Sequence, residues 1–130
     1  MEIINDIFLD KITDEAAENP RLRKNFNLHT SYDEPVQRML NALEPGTKVP
    51  VHRHSGVTET MIILRGSLHV NIYNREKVVI RKVLLDSRNG EYGVSIPAGE
   101  WHNVEALESG TVIFEVKEGP YRPIAEEDIL

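Results

Sequence analysis

The chain has 130 residues, 40% of them hydrophobic and 28% charged, the composition of a single globular domain; this excludes a second catalytic domain and a disordered or fibrous chain. With no cysteine, disulfides, thiolate zinc sites, iron-sulfur clusters and a cysteine nucleophile are excluded, and any metal must be held by nitrogen and oxygen. The formal net charge of -6, from 15 basic against 21 acidic residues, disfavours attraction to phosphate backbones, so nucleic acid is not an expected partner.

The first eighteen residues read as a short helix. Asp6 is a candidate cap, Phe8, Ile12 and Ala16 recur four apart, and Pro20 disfavours helix at Asn19. The helix is expected to lie on the domain as a lid. Its acidic residues stand where a signal peptide would be basic, and no apolar run approaches the roughly 20 residues that span a bilayer. The expectation is a cytoplasmic protein without a membrane partner. From Arg21 to Thr30 the chain alternates, with Leu22, Phe26 and Leu28 on one side of a strand and Arg21, Arg23, Asn25, Asn27 and His29 on the other.

After Pro35, strand signals recur at short intervals: Val36 to Leu43, Val49 to His54, Glu59 to Leu64, Leu68 to Tyr73, Val78 to Leu85, Gly93 to Ile96, Trp101 to Val104 and Thr111 to Lys117. Turn residues separate them, among them Pro45-Gly46, Gly66, Asn89-Gly90 and Pro97 to Gly99. Short strands with glycine and proline turns and no intervening helices predict an all-β sandwich or barrel.

His52 and His54 stand two apart in one of these strands, which puts both imidazoles on one face and within reach of a single cation. Gly46 precedes them, Glu59 opens the next strand facing them, and Gly66 turns the chain again. The order Gly46, five residues, His52-x-His54, four residues, Glu59, six residues, Gly66 resembles the first motif of the cupin superfamily at every fixed position. The segment Pro97-Ala98-Gly99-Glu100-Trp101-His102 is similar to the centre of the second motif, a resemblance that makes His102 the fourth ligand. The second motif departs at Glu91 and Ala106, where the family has its leading glycine and closing asparagine; neither is a ligand position.

The resemblance covers Gly46 to about Val116 and implies a cupin jelly-roll β-barrel around a metal, with residues 1-34 forming the helix and strand arm and 35-130 the barrel of one domain. A narrower resemblance, to the WbuC family of cupin metalloproteins, is carried by the segment Pro20 to His29, by Val36-Gln37-Arg38-Met39 and by Phe114 to Tyr121. It implies a link to bacterial polysaccharide biosynthesis.

Three imidazoles and a carboxylate suit a divalent first-row metal, iron, manganese, nickel or zinc, with two positions open to a chelating substrate, dioxygen or water. Strand alternation turns Trp101 away from the metal, and His69 falls on the face opposite Leu68, Val70 and Ile72, which makes it structural. Arg38, Arg21, Arg23 and Glu115 are candidate substrate-binding residues. The arginines offer bidentate bonds to carboxylate or phosphate. Each has a second reading: Glu115 and Lys117 as the solvated face of the last strand, Arg38 as a residue facing water, and the arm as a soluble edge or a dimer contact.

The expected partners are a small anionic or polyhydroxylated molecule and a second copy of the chain, since the arm offers a strand to lend. The leading expectation is a metal-dependent isomerase, epimerase or dioxygenase acting on a sugar or a hydroxy or keto acid, its catalytic residues unassigned. A non-catalytic metal- or sugar-binding regulatory protein is the alternative. A serine hydrolase has no support, because Gly93-Val94-Ser95-Ile96-Pro97 lacks the second glycine of a nucleophile elbow.

Overall fold

Alternating apolar residues build two antiparallel sheets face to face. The computed structural model describes residues 1-130. The larger sheet contains β1 (Arg23–Asn27), β2 (Val36–Leu43), β3 (Glu59–Arg65), β6 (Gly93–Ile96) and β8 (Thr111–Glu118), and the smaller contains β4 (Leu68–Tyr73), β5 (Val79–Leu85) and β7 (Trp101–Ala106). Their orders are β1-β2-β8-β3-β6 and β5-β4-β7. This is the expected jelly-roll architecture. One end of the space between the sheets is filled by Met61, Ile63, Leu68, Val70, Ile72, Leu85, Ile113 and their neighbours, and the other end stays open.

The segment predicted as a strand from Val49 to His54 forms no continuous ladder. Pro50 has no N–H to give, and pairing is confined to isolated bridges from His52 to His102 and to Ile129. His52 and His102 exchange both backbone hydrogen bonds, at 3.0 and 2.8 Å, which ties the first motif to β7. On its other side the segment is held by the carboxyl-terminal tail, through Arg53 N–H to the Asp128 carbonyl and Leu130 N–H to the Val51 carbonyl.

Gly66 accounts for the motif's last fixed position. It turns at a φ of 82°, and a Cβ there would lie 2.7 Å from Thr111 Cα, so only glycine fits.

The helix, α1 (Asp6–Glu18), is capped one residue earlier than expected: the Asn5 side chain accepts the Phe8 N–H at 3.0 Å, and Asp6 is the first helical residue. Leu9, Ile12 and Ala16 pack on Leu40, Ala42 and Val112, the outward-facing residues of β2 and β8. The helix does lie on the domain, as expected, but it backs the large sheet from outside and does not close the cavity as a lid. Phe8 meets Phe26 of β1 edge to face, and Arg65 on β3 donates to Asp10 at 2.8 Å and to Thr13 at 3.0 Å. The helix is neither long nor apolar enough to cross a membrane.

Because Ile12 is fully buried between helix and sheet, Ile12→Ala should cost about 2–5 kcal/mol in chemical denaturation. The helix lies behind the sheet, so the same variant should keep the wild-type metal content after purification, read by elemental analysis.

Candidate metal centre

His52, His54 and His102 converge, one ligand nitrogen from each lying within 4.8 Å of the others. The extended segment beside β7 supplies the first two, and β7 supplies the third from the same face as Val104 and Ala106. Glu59, at the start of β3, brings its Oε2 to 2.5 Å from His54 Nε2 and its Oε1 to 3.9 Å from His102 Nε2.

The tautomers follow from the backbone. His52 Nδ1 donates to the Pro50 carbonyl at 2.9 Å and His102 Nδ1 to the Glu100 carbonyl at 2.8 Å, so in each ring the Nε2 carries a lone pair directed inward. Burial, outweighing the help of the Pro50 carbonyl, drives His52 down to about 4, and burial likewise lowers His102. Both rings are neutral near pH 7, the form that binds metal. Burial alone would raise the Glu59 carboxyl, but the adjacent His54 imidazole, with His102 and Lys117, holds it below the usual carboxylate range.

The Nε2 atoms of His54 and His102 are buried and make no well-directed hydrogen bond, even though a carboxylate oxygen stands close to His54. The His102 nitrogen is thus a buried acceptor without a donor, which is costly, and a cation placed between it, His54 and Glu59 removes the cost. Nitrogen and oxygen donors of this kind fit a divalent first-row metal.

These residues line a cavity of about 390 Å³ at the open end of the barrel. Arg21, Arg23 and Asn25 from the arm, Asn41 from β2, Glu115 and Lys117 from β8, and Tyr121 and Ile124 from the tail complete its walls. The arm lies in register with β2 as an edge strand of its own sheet, Asn25 opposite Asn41, so its polar face meets the cavity. Arg23 donates to Thr47 Oγ1 at 3.3 Å and to the Lys48 carbonyl at 3.0 Å; burial and nearby Arg21 lower its ordinary value. No carboxylate forms an ion pair with either arginine.

Two expectations are corrected here. Arg38 is exposed on the outer side of β2, because Gln37, Met39 and Asn41 take the inner side; it does not line the cavity. The charged side of the last strand is the inner side: Glu115 is 9% exposed, its Oε2 accepts from Asn41 Nδ2 at 3.0 Å, and Val112 lies under the helix. Lys117 shares that inner side, and Asn41, Tyr121 and Ile124 are cavity residues the sequence does not single out, although the parity of Asn41 with Met39 and Leu43 signals the first of them. Trp101 does turn away from the cavity, with the Arg53 guanidinium 4.5 Å above its ring.

The family model described as "Domain of unknown function (DUF6016)" matches residues 4–85, and the chain belongs to that family. His102 lies beyond the matched range. No curated protein matches the chain in sequence. Among solved structures, the chain is similar to KdgF from Halomonas sp., with 16% identity and a TM-score of 0.59 over 81% of this chain and 85% of that one. It is similar to the cupin domain of Cnp3 from Schizosaccharomyces pombe, with 11% identity and a TM-score of 0.60 over 74% and 64%. Oxalate oxidase in complex with the substrate analogue glycolate matches with 17% identity and a TM-score of 0.63 over 84% of this chain and 57% of that one. These likenesses establish the cupin fold.

Burial, reinforced by the charge of Glu59, pushes Glu115 up to about 8 from an ordinary value of 4.5. Between those values the folded chain keeps a proton that the unfolded chain has lost, so stability is full below pH 4.5 and falls as pH rises through about 8. Glu115→Gln keeps the acceptor for Asn41 and removes the titration. In metal-free protein its melting temperature relative to wild type should climb from about pH 5 to pH 8 and then level off; a pH-independent difference would show an ordinary carboxylate.

Proposed function

We infer that the chain is a cupin metalloprotein that binds one divalent first-row metal, iron, manganese, nickel or zinc, through His52, His54, Glu59 and His102, and acts on a small anionic or polyhydroxylated molecule. The observation that carries this reading is the convergence of three imidazoles, two of which, His52 and His102, direct lone pairs inward because their outer nitrogens are bonded to backbone carbonyls. When bound, the metal supplies a Lewis acid that polarises a carbonyl or orients an enediolate.

The chain's own residues supply the rest. Arg21 and Arg23, free of carboxylate partners, hold a carboxylate or phosphate at the rim, and Asn25 and Asn41 orient hydroxyls by hydrogen bonding. Glu115, protonated near neutral pH and fixed by Asn41, gives or accepts a proton from the wall of the cavity. Such a set supports isomerisation, epimerisation or dioxygenase chemistry on a sugar or a hydroxy or keto acid. The resemblance to the WbuC family supports a role in bacterial polysaccharide biosynthesis, in the cytoplasm.

His54→Ala should lose most of the metal found by elemental analysis of protein purified without added metal, whereas His69→Ala, on the outer face of β4, should retain it. Equal loss in both would defeat the ligand assignment. Citrate or a sugar phosphate should raise the melting temperature of the metal-loaded protein more than that of the metal-free protein, because only the former offers a coordinating bond. An identical shift in the two would speak against substrate binding at the metal.

A homodimer is the proposed assembly. The outer edge of β1 has no strand partner within the chain, and a second copy would cover it. Light scattering should give twice the chain mass, and a monomer at micromolar concentration would end the idea.

A further inference from the structure

A second cavity, of about 400 Å³, adjoins the metal-centre cavity. It lies between the loop Ser55 to Val57 and the carboxyl-terminal tail, and the two cavities share His54, Lys117, Tyr121 and Ile124. The tail is fixed where it crosses this boundary. Tyr121 N–H donates to the Tyr32 carbonyl at 2.7 Å with the two rings 4.8 Å apart, and farther along Arg53 Nε donates to Asp128 Oδ1 at 2.7 Å. The outer cavity is thus bounded by anchored chain, and each cavity falls within the size range of small-ligand sites, roughly 300–1,000 Å³.

Its chemistry differs from that of the metal centre. Gln37 is 1% exposed and lines the outer cavity alone of the two. Its amide nitrogen makes one long bond, 3.4 Å, to the Glu34 carbonyl, and its buried Oε1 has no donor. Lys117, its neighbour across the β2–β8 ladder, has no carboxylate within ion-pair distance. A buried carbonyl lacking a donor, across the ladder from a lysine that makes no ion pair, matches a hydroxyl, which can donate to one and accept from the other. Tyr121, on the boundary, presents an aromatic ring of the kind that packs against the C–H face of a sugar.

We propose that the outer cavity is a second subsite for the hydroxylated remainder of a substrate anchored at the metal centre, so that the substrate is an anionic carbohydrate of two linked units. The inference rests on the metal-centre reading above: the acid group sits with the metal and the rim arginines, the linkage passes Tyr121, and the second ring reaches Gln37 and Lys117.

Gluconate and lactobionate separate the two ideas, because both carry the same open-chain sugar-acid end and only lactobionate adds a linked sugar ring. In calorimetric titration of manganese-loaded protein, lactobionate should bind at least tenfold more tightly than gluconate. Gln37→Leu, which removes the acceptor, and Val57→Trp, which fills the outer cavity from its loop, should each erase that advantage while leaving gluconate affinity within twofold of wild type. Gluconate binding with no advantage for lactobionate overturns the second subsite and leaves the metal-centre reading standing, and so does an advantage that survives both variants. Failure of both ligands to bind the loaded protein overturns the metal-centre reading and the subsite together.

Discussion

Lone pairs cannot be packed together in a dry space without something positive between them. Three imidazoles and a carboxylate meet at the open end of this barrel, and the protein has fixed two of the rings so that they cannot turn away: the Pro50 and Glu100 carbonyls hold the outer nitrogens of His52 and His102. Much of the surrounding structure enforces that meeting. The reciprocal backbone pair between His52 and His102 sets the distance between the two motifs, and the start of β3 brings Glu59 across from them. A buried charge is tolerated only with compensation, and within the chain the imidazoles of His54 and His102 and, farther off, Lys117 stand nearest to Glu59.

The site's legibility in the sequence follows from how local each part is. His52, His54, Glu59 and Gly66 lie within fifteen consecutive residues on a strand, a loop and a turn, so their spacing encodes their geometry directly. His102 is remote in sequence and was recoverable only through a family resemblance. The fold class was legible from short strands and turn residues, yet Val49 to His54 forms bridges because Pro50 interrupts the ladder and the tail supplies the other neighbour. Asn5 and Asp6 are both competent caps, and sequence alone does not choose between them.

The inversion of β8 has a more general cause. An alternating strand is ordinarily taken to put its apolar side inward, because water is assumed to lie on the other side. Here the helix covers the outer face, so Val112 can be buried there with Leu40 and Ala42, while Ile113, Glu115 and Lys117 run inward from core to cavity to mouth. Where the helix lies, β2 and β8 are covered on both faces, and hydrophobicity no longer distinguishes inside from outside. The same ambiguity misplaced Arg38, whose inner neighbours Gln37 and Met39 differ as much from each other in polarity as either does from the arginine.

The segment from Val51 to His54 shows how the centre and its roof depend on one another. His52 and His54 point into the cavity, while Arg53, between them, points the other way, over the Trp101 ring and onto Asp128 of the tail. The Arg53–Asp128 pair is largely shielded from water, so salt screens it less than it would an exposed pair, and its neighbouring backbone bonds add to its hold. Fixing this short segment therefore orders two ligands on one face and anchors the tail that bounds both cavities on the other. A chain with a net charge of -6 gains no long-range attraction for anions, so Arg21 and Arg23 at the rim and Lys117 on the wall of the cavity can act on an anion only at contact distance, where bulk charge matters little.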